Sequence, residues 1–366
     1  MARPPILLDA VRALVPPLLH TLDRVEWVQR HLHPMAAGEL AEDLGPCREM
    51  VAEPLRGLET AAWPEDLKFF RERLADVGRR TVDLVTAFVE AARTPHDVLG
   101  LYRAIRRFAP LQEALYPLAP MLEPVSRWFV EPARRGDDAL VGGLRAAALR
   151  DDGVETGVRN AGNERDQRGG FSLYVPETWD GRTARPLVVA LHGGSGHGRD
   201  FLWTWLREAR TRGLFLMAPT SRDRTWSLMG GADADGPALE EMVAFVRERY
   251  PVDPARVLLT GMSDGATYTY LRGLREATPF THLAPACGIL HPLLLAHGLP
   301  HAKDRPIYLV HGALDWMFPV RSARMSRDAL VAAGARLVYR EIDDLSHTYP
   351  RDENPLILDW LMTDDA

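Results

Sequence analysis

The stretch "LLTGMSDGATYTYL" (258–271) decides the reading of this chain: a leucine and threonine run ends in Gly-x-Ser-x-Gly, and a helix-like pattern begins at once. A strand, a tight turn and a helix in that order push a serine hydroxyl outward from the end of a sheet. Ser263 is therefore the candidate nucleophile. Gly261 and Gly265 leave room for the strand and helix backbones to approach, which a side chain at either position would obstruct.

Outward from this motif, short apolar runs alternate with amphipathic segments. The runs are "FSLYVP" (171–176), "PLVVALHG" (186–193), "LFLMAP" (214–219), "VLLTGMS" (257–263), "THLAPACGIL" (281–290), "PIYLVHG" (306–312) and "LVYREI" (337–342). Helical patterns fall near 200–212, 237–250, 265–277, 321–334 and 354–363. Strand and helix in alternation predict an α/β domain, a mostly parallel sheet with helices on both faces. Active sites of such sheets form at the carboxyl ends of the strands, where the chemically suggestive residues of this chain fall.

The first third reads differently. Phe70, Leu74, Val77, Leu84, Val85 and Phe88 recur at helical spacing, and "TPHDVLGLYRAIRRF" follows, with Thr94 expected as N-cap and Pro95 at the first helical position. Prolines at 110, 117, 120, 124 and 132 cut the next stretch into short pieces. The expected organisation is an all-α domain over 1–135, a Gly/Asp/Arg-rich linker over 136–153, and a catalytic domain over 154–366.

An apolar fraction of 46% supports hydrophobic cores in both parts, and a net charge of −6 without basic runs argues against nucleic acid as partner. A small, neutral or weakly polar substrate suits this balance better. Cys47 and Cys287 fall in different domains, so neither a disulfide framework nor a cysteine metal site is expected. Asp9, Arg12 and the Pro16-Pro17 pair interrupt the apolar start, and no run reaches the ~20 apolar residues of a membrane span. The expectation is a cytoplasmic protein.

A serine hydroxyl becomes a nucleophile when a base accepts its proton and a third group orients that base. Asp315, in "LVHGALDWMFP", lies just past a strand, and His347, in "IDDLSHTYP", lies past the next one. Asp343 and Asp344 are nearer to His347 in sequence, but they share its segment and suit its turn, so Asp315 is the favoured acid. In "LHGGSGHG" (191–198), small residues let backbone N–H groups approach a developing oxyanion. Gly194 is the first choice of donor there, with Gly193 and Ser195 behind it. The N–H of Asp264 is the second donor. This glycine loop lacks the Gly-Lys-Ser/Thr ending of a phosphate-binding loop and the spacing of a dinucleotide fingerprint. Trp226 and Trp316 are candidates to line an acyl or alcohol pocket. The spacing of His291, His297 and His301, in a loop with proline and glycine, fits surface or pocket histidines better than metal ligands.

Together "PLVVALHGGSG", "DPARVLLTGMSDGA", "IYLVHGALDWMFPV" and "SHTYP" resemble the α/β-hydrolase superfamily, in particular its phospholipase/carboxylesterase and polyhydroxybutyrate-depolymerase-like serine esterases, over roughly residues 170–366. The resemblance implies Ser263 as nucleophile, His347 as general base, Asp315 as acid, backbone N–H groups of Gly194 and Asp264 as oxyanion hole, a small-molecule ester as substrate, and no metal or organic cofactor. A thioester, a peptide or a polyester oligomer would serve the same triad. Outside catalysis, the rival is an interaction protein on the same fold. The helical third lies outside the family pattern; it suits either self-association into a homo-oligomer or a cap over the site.

Overall fold

A computed structural model describes residues 5–151, 153–229 and 231–363. The chain divides into two compact units, Met1–Leu149 and Arg150–Ala366.

Among its described residues the first unit is built from helices: α1 (Pro5–Arg30), α2 (Ala37–Leu44), α3 (Cys47–Thr60), α4 (Lys68–Arg93), α5 (Val98–Arg106), α6 (Phe108–Leu115), α7 (Glu123–Trp128) and α8 (Asp138–Ala148). Their apolar stripes meet inside. Leu14, Leu18, Leu22 and Val25 of α1 are buried, as are Leu74, Val77, Leu84, Val85 and Phe88 of α4. The Trp128 indole N–H donates to Asp23 (2.9 Å), and Arg135 pairs with the same carboxylate (3.1 Å). One cap differs from expectation: Asp97, not Thr94, starts α5, its carboxylate accepting from the Gly100 N–H at 2.9 Å. Thr94 instead closes α4. The stretch read as a linker is largely helical, because Asp137 caps α8 by accepting from Leu140 N–H and Val141 and Leu144 pack on Val130.

The second unit holds an eight-stranded sheet in the order β1-β2-β4-β3-β5-β6-β7-β8. Its strands are β1 (Gly157–Ala161), β2 (Phe171–Val175), β3 (Arg185–Leu191), β4 (Phe215–Pro219), β5 (Val252–Met262), β6 (His282–Ala286), β7 (Pro306–Gly312) and β8 (Arg336–Ile342). β1 and β2 run antiparallel, and β3 to β8 are parallel. Between and after them come α9 (Gly198–Phe201), α10 (Leu206–Arg212), α11 (Asp235–Arg249), α12 (Asp264–Gly273), α13 (Pro292–Ala296), α14 (Val320–Ala332) and α15 (Asn354–Met362). This strand order, with β2 alone reversed against its neighbours β1 and β4 and helices connecting the parallel strands, is the α/β-hydrolase fold. β4 and β7 are buried from end to end, and β3 is buried over 187–191, as their unbroken apolar runs require. Both cysteines are buried and outside any disulfide, and no helix among the described residues is long and apolar enough to cross a membrane.

Candidate active site

β5 ends at Met262, and Ser263 turns the chain into α12 with φ 56° and ψ −119°. Such a backbone is strained for any residue with a Cβ, so its surroundings must hold it. They do: Ser263 N–H donates to Ala286 at the end of β6, and Ser263 C=O accepts from Thr267 N–H, each at 3.0 Å. The two motif glycines are demanded by contact. A Cβ on Gly261 would come within 2.5 Å of the Gly265 backbone, and one on Gly265 within 2.5 Å of the Leu191 and His192 carbonyls.

Three side chains from the ends of three strands meet here. His347 Nε2 lies 3.1 Å from Ser263 Oγ, and His347 Nδ1 lies 2.8 Å from Asp315 Oδ2. The carboxylate fixes the proton on Nδ1 and leaves Nε2 as the acceptor for the serine hydroxyl. Asp315 is itself fixed. Its Oδ1 accepts the N–H groups of Met317 (3.0 Å) and Phe318 (2.7 Å), and its side chain is fully buried. Asp343 and Asp344 are exposed in the turn before His347. The Phe318 ring stands edge-on to the His347 imidazole, with centroids 5.4 Å apart. Behind the pair, buried His311 donates through Nε2 to the Phe318 carbonyl at 2.8 Å. Burial pushes His311 below the usual imidazole range, so it stays neutral beside Asp315.

The glycine loop after β3 lies against the elbow: a Cβ on Gly193 would touch the Ser263 side chain at 3.5 Å, and one on Gly194 would press on Asp264 Oδ2 at 2.7 Å. Gly196 N–H donates to Gly193 C=O, and Ser195 between them holds φ +54°, which makes a tight turn. The Ser195 N–H is taken by the Arg224 carbonyl at 2.7 Å.

The two tryptophans sit in different surroundings. Trp226 is 3% exposed, stacks on Tyr268, and donates its indole N–H to the His192 carbonyl at 2.8 Å, so it packs beneath the glycine loop. Trp316, beside Asp315, is 43% exposed. His291 caps α13 and bonds the Leu228 carbonyl at 2.9 Å.

Sequence reasoning passed over His192. Its Nε2 accepts from Ser221 N–H (3.1 Å), so Nδ1 carries the proton and donates to the Gly193 carbonyl (2.7 Å). The signal was present in "LHGG", where a histidine precedes the glycines; its partners are backbone groups that only the fold brings close.

No protein-family model matches the chain, and no curated protein sequence matches it. Among solved structures it is similar to a thermostable esterase, at 21% identity and a TM-score of 0.46, over 56% of this chain and 61% of that one. It is similar to esterase PE8, at 24% identity and a TM-score of 0.43, over 52% and 95%. It is also similar to acyl-protein thioesterase 2 of Zea mays, at 21% identity and a TM-score of 0.41, over 54% and 99%.

Proposed function

We propose that this chain is a serine carboxylesterase acting on small-molecule esters through an acyl-enzyme. The observation that carries this reading is the continuous hydrogen-bonded chain from Ser263 through His347 to buried Asp315, with the serine on a strained turn at the end of a parallel strand. Ser263 Oγ attacks the ester carbonyl carbon while its proton passes to His347 Nε2. Negative charge moves to the carbonyl oxygen, which the backbone N–H groups of Gly194 and Asp264 receive, with the start of α12 adding its positive dipole. His347 then returns the proton to the departing alkoxide, and the alcohol leaves. Water attacks the acyl-enzyme, giving its proton to the same nitrogen. The second tetrahedral intermediate collapses to the acid, and the proton returns to Ser263. Asp315 keeps the imidazole in the required tautomer throughout and stabilises the imidazolium.

The test is hydrolysis of p-nitrophenyl esters from acetate to long acyl chains by wild type and Ser263→Ala, with folding checked for both. Loss of about 10⁴-fold or more in kcat for Ser263→Ala is the expected result. Undiminished activity in that variant would remove Ser263 from the chemistry. A matched thioester turned over far faster than the oxygen ester would move the assignment to a thioesterase.

A further inference from the structure

The glycine loop after β3 is not held in place by its own turn alone. A second loop, Ser221–Ser227 between β4 and α11, is fastened to it at three points: Ser221 N–H to His192 Nε2 (3.1 Å), Ser195 N–H to Arg224 C=O (2.7 Å), and Trp226 Nε1–H to His192 C=O (2.8 Å). A fourth bond, from Thr225 Oγ1 to Asp264 Oδ2 (2.5 Å), reaches the residue that follows Ser263. The same loop is closed on itself by Asp235, 4% exposed, whose carboxylate accepts from Arg222 N–H (2.7 Å) and from Ser227 N–H and Oγ–H (2.8 Å each).

One side chain spans both loops. The Arg168 guanidinium donates to Gly196 C=O (2.9 Å) in the glycine loop, and to Ser221 C=O (3.0 Å), Ser221 Oγ (2.5 Å) and Asp223 C=O (2.5 Å) in the second. The rigid fork of five N–H groups allows such spanning, and a lysine ammonium cannot copy it.

We propose that Ser221–Ser227 is a strap that sets the position of the oxyanion-binding loop, and that Arg168 is the positioning residue that locks strap to loop. The inference rests on the serine-hydrolase reading above. Arg168 touches no reacting atom; it acts through Gly196 on the turn that carries Gly194. Oxyanion donors act only when they already stand where the charge will develop, so a loosened loop lowers kcat and leaves ground-state binding nearly unchanged.

The experiment compares wild type, Arg168→Met, Arg168→Lys and Asp235→Asn, all assayed on one p-nitrophenyl ester after Tm is measured. Each is also titrated with an aliphatic trifluoromethyl ketone, whose adduct with Ser263 carries the oxyanion. Arg168→Met is expected to lose about 10-fold in kcat with KM within twofold, and to weaken ketone inhibition by the same factor. Arg168→Lys is expected to lie between it and wild type, and Asp235→Asn to move kcat and ketone affinity in parallel. Should Arg168→Met fail to fold, Arg168→Lys gives the same comparison. Wild-type kcat and ketone affinity in folded Arg168 variants would overturn the proposal, as would a rise in KM alone. Ser263→Ala separates the two readings: if it stays active, the hydrolase reading fails, whereas a dead Ser263→Ala beside a fully active Arg168→Met removes only the strap.

Discussion

In the helical unit one described non-glycine residue, His96, holds a positive φ, whereas the sheet unit has Ser195, Ser263, Cys287, Leu299 and Asp304 in that region. Ser263 and Cys287 directly follow β5 and β6, and Ser195 lies in the loop after β3, so much of this strain gathers along one edge of one sheet. The helical unit joins its elements with helix ladders, short connections and mostly exposed ion pairs such as Arg79–Glu59 and Arg80–Asp76. Exposed pairs of that kind contribute little each. The difference teaches where to look for chemistry in a protein of two halves. A backbone conformation that costs energy persists only where packing over-determines it, and here that place also holds the three hydrogen-bonded side chains.

Three substitutions would sharpen or break this contrast. The largest effect is expected at Gly265. An alanine Cβ there runs into the Leu191 and His192 carbonyls, so Gly265→Ala should cost about 3 kcal/mol in chemical denaturation and lower kcat together with stability. A variant that kept both would show that the elbow tolerates relaxation.

Next comes His282, the buried first residue of β6, whose Nε2 has no hydrogen-bond partner among the described residues. Burial, with Arg336 adding to it, pushes its pKa down to about 4 from the ordinary 6.5. Between those values the unfolded chain takes up a proton that the folded chain refuses, so stability falls as pH drops from 6.5 toward 4. Urea unfolding at pH 7 and pH 4.5 should therefore show an acid loss in wild type that is smaller by about 2 kcal/mol in His282→Gln. Equal acid losses would mean that the folded protein accommodates the imidazolium.

The smallest effect belongs to the helical unit. Asp97→Ala removes the cap of α5 and should cost about 1 kcal/mol, with labelling of Ser263 by a fluorophosphonate unchanged. A loss of labelling would tie this helix to the active serine and blur the contrast drawn above.

Much of the sheet unit was legible in its sequence, because buried parallel strands need unbroken apolar runs and the elbow needs glycines at fixed offsets. Ser263, Asp315 and His347 could be chosen because each follows such a run. Arg168 and Thr225, polar loop residues, and Asp235, the first residue of α11, could not, since most of the groups they bond are backbone groups that only the fold brings close. The misread cap at Thr94 and the helix within 136–153 share a local cause. An aspartate three residues before a free N–H out-competes a threonine beside proline, and the Gly/Asp/Arg-rich composition hid a helix that Asp137 starts.

The hydrogen bonds that link the three side chains close sequence separations of 32 and 84 residues. Contacts of that range are late events in folding, since the intervening chain must first lose its freedom. During refolding, helical circular dichroism should therefore recover before labelling of Ser263 by a fluorophosphonate. Labelling then works as a clock for the moment when β5, β7 and β8 stand in register.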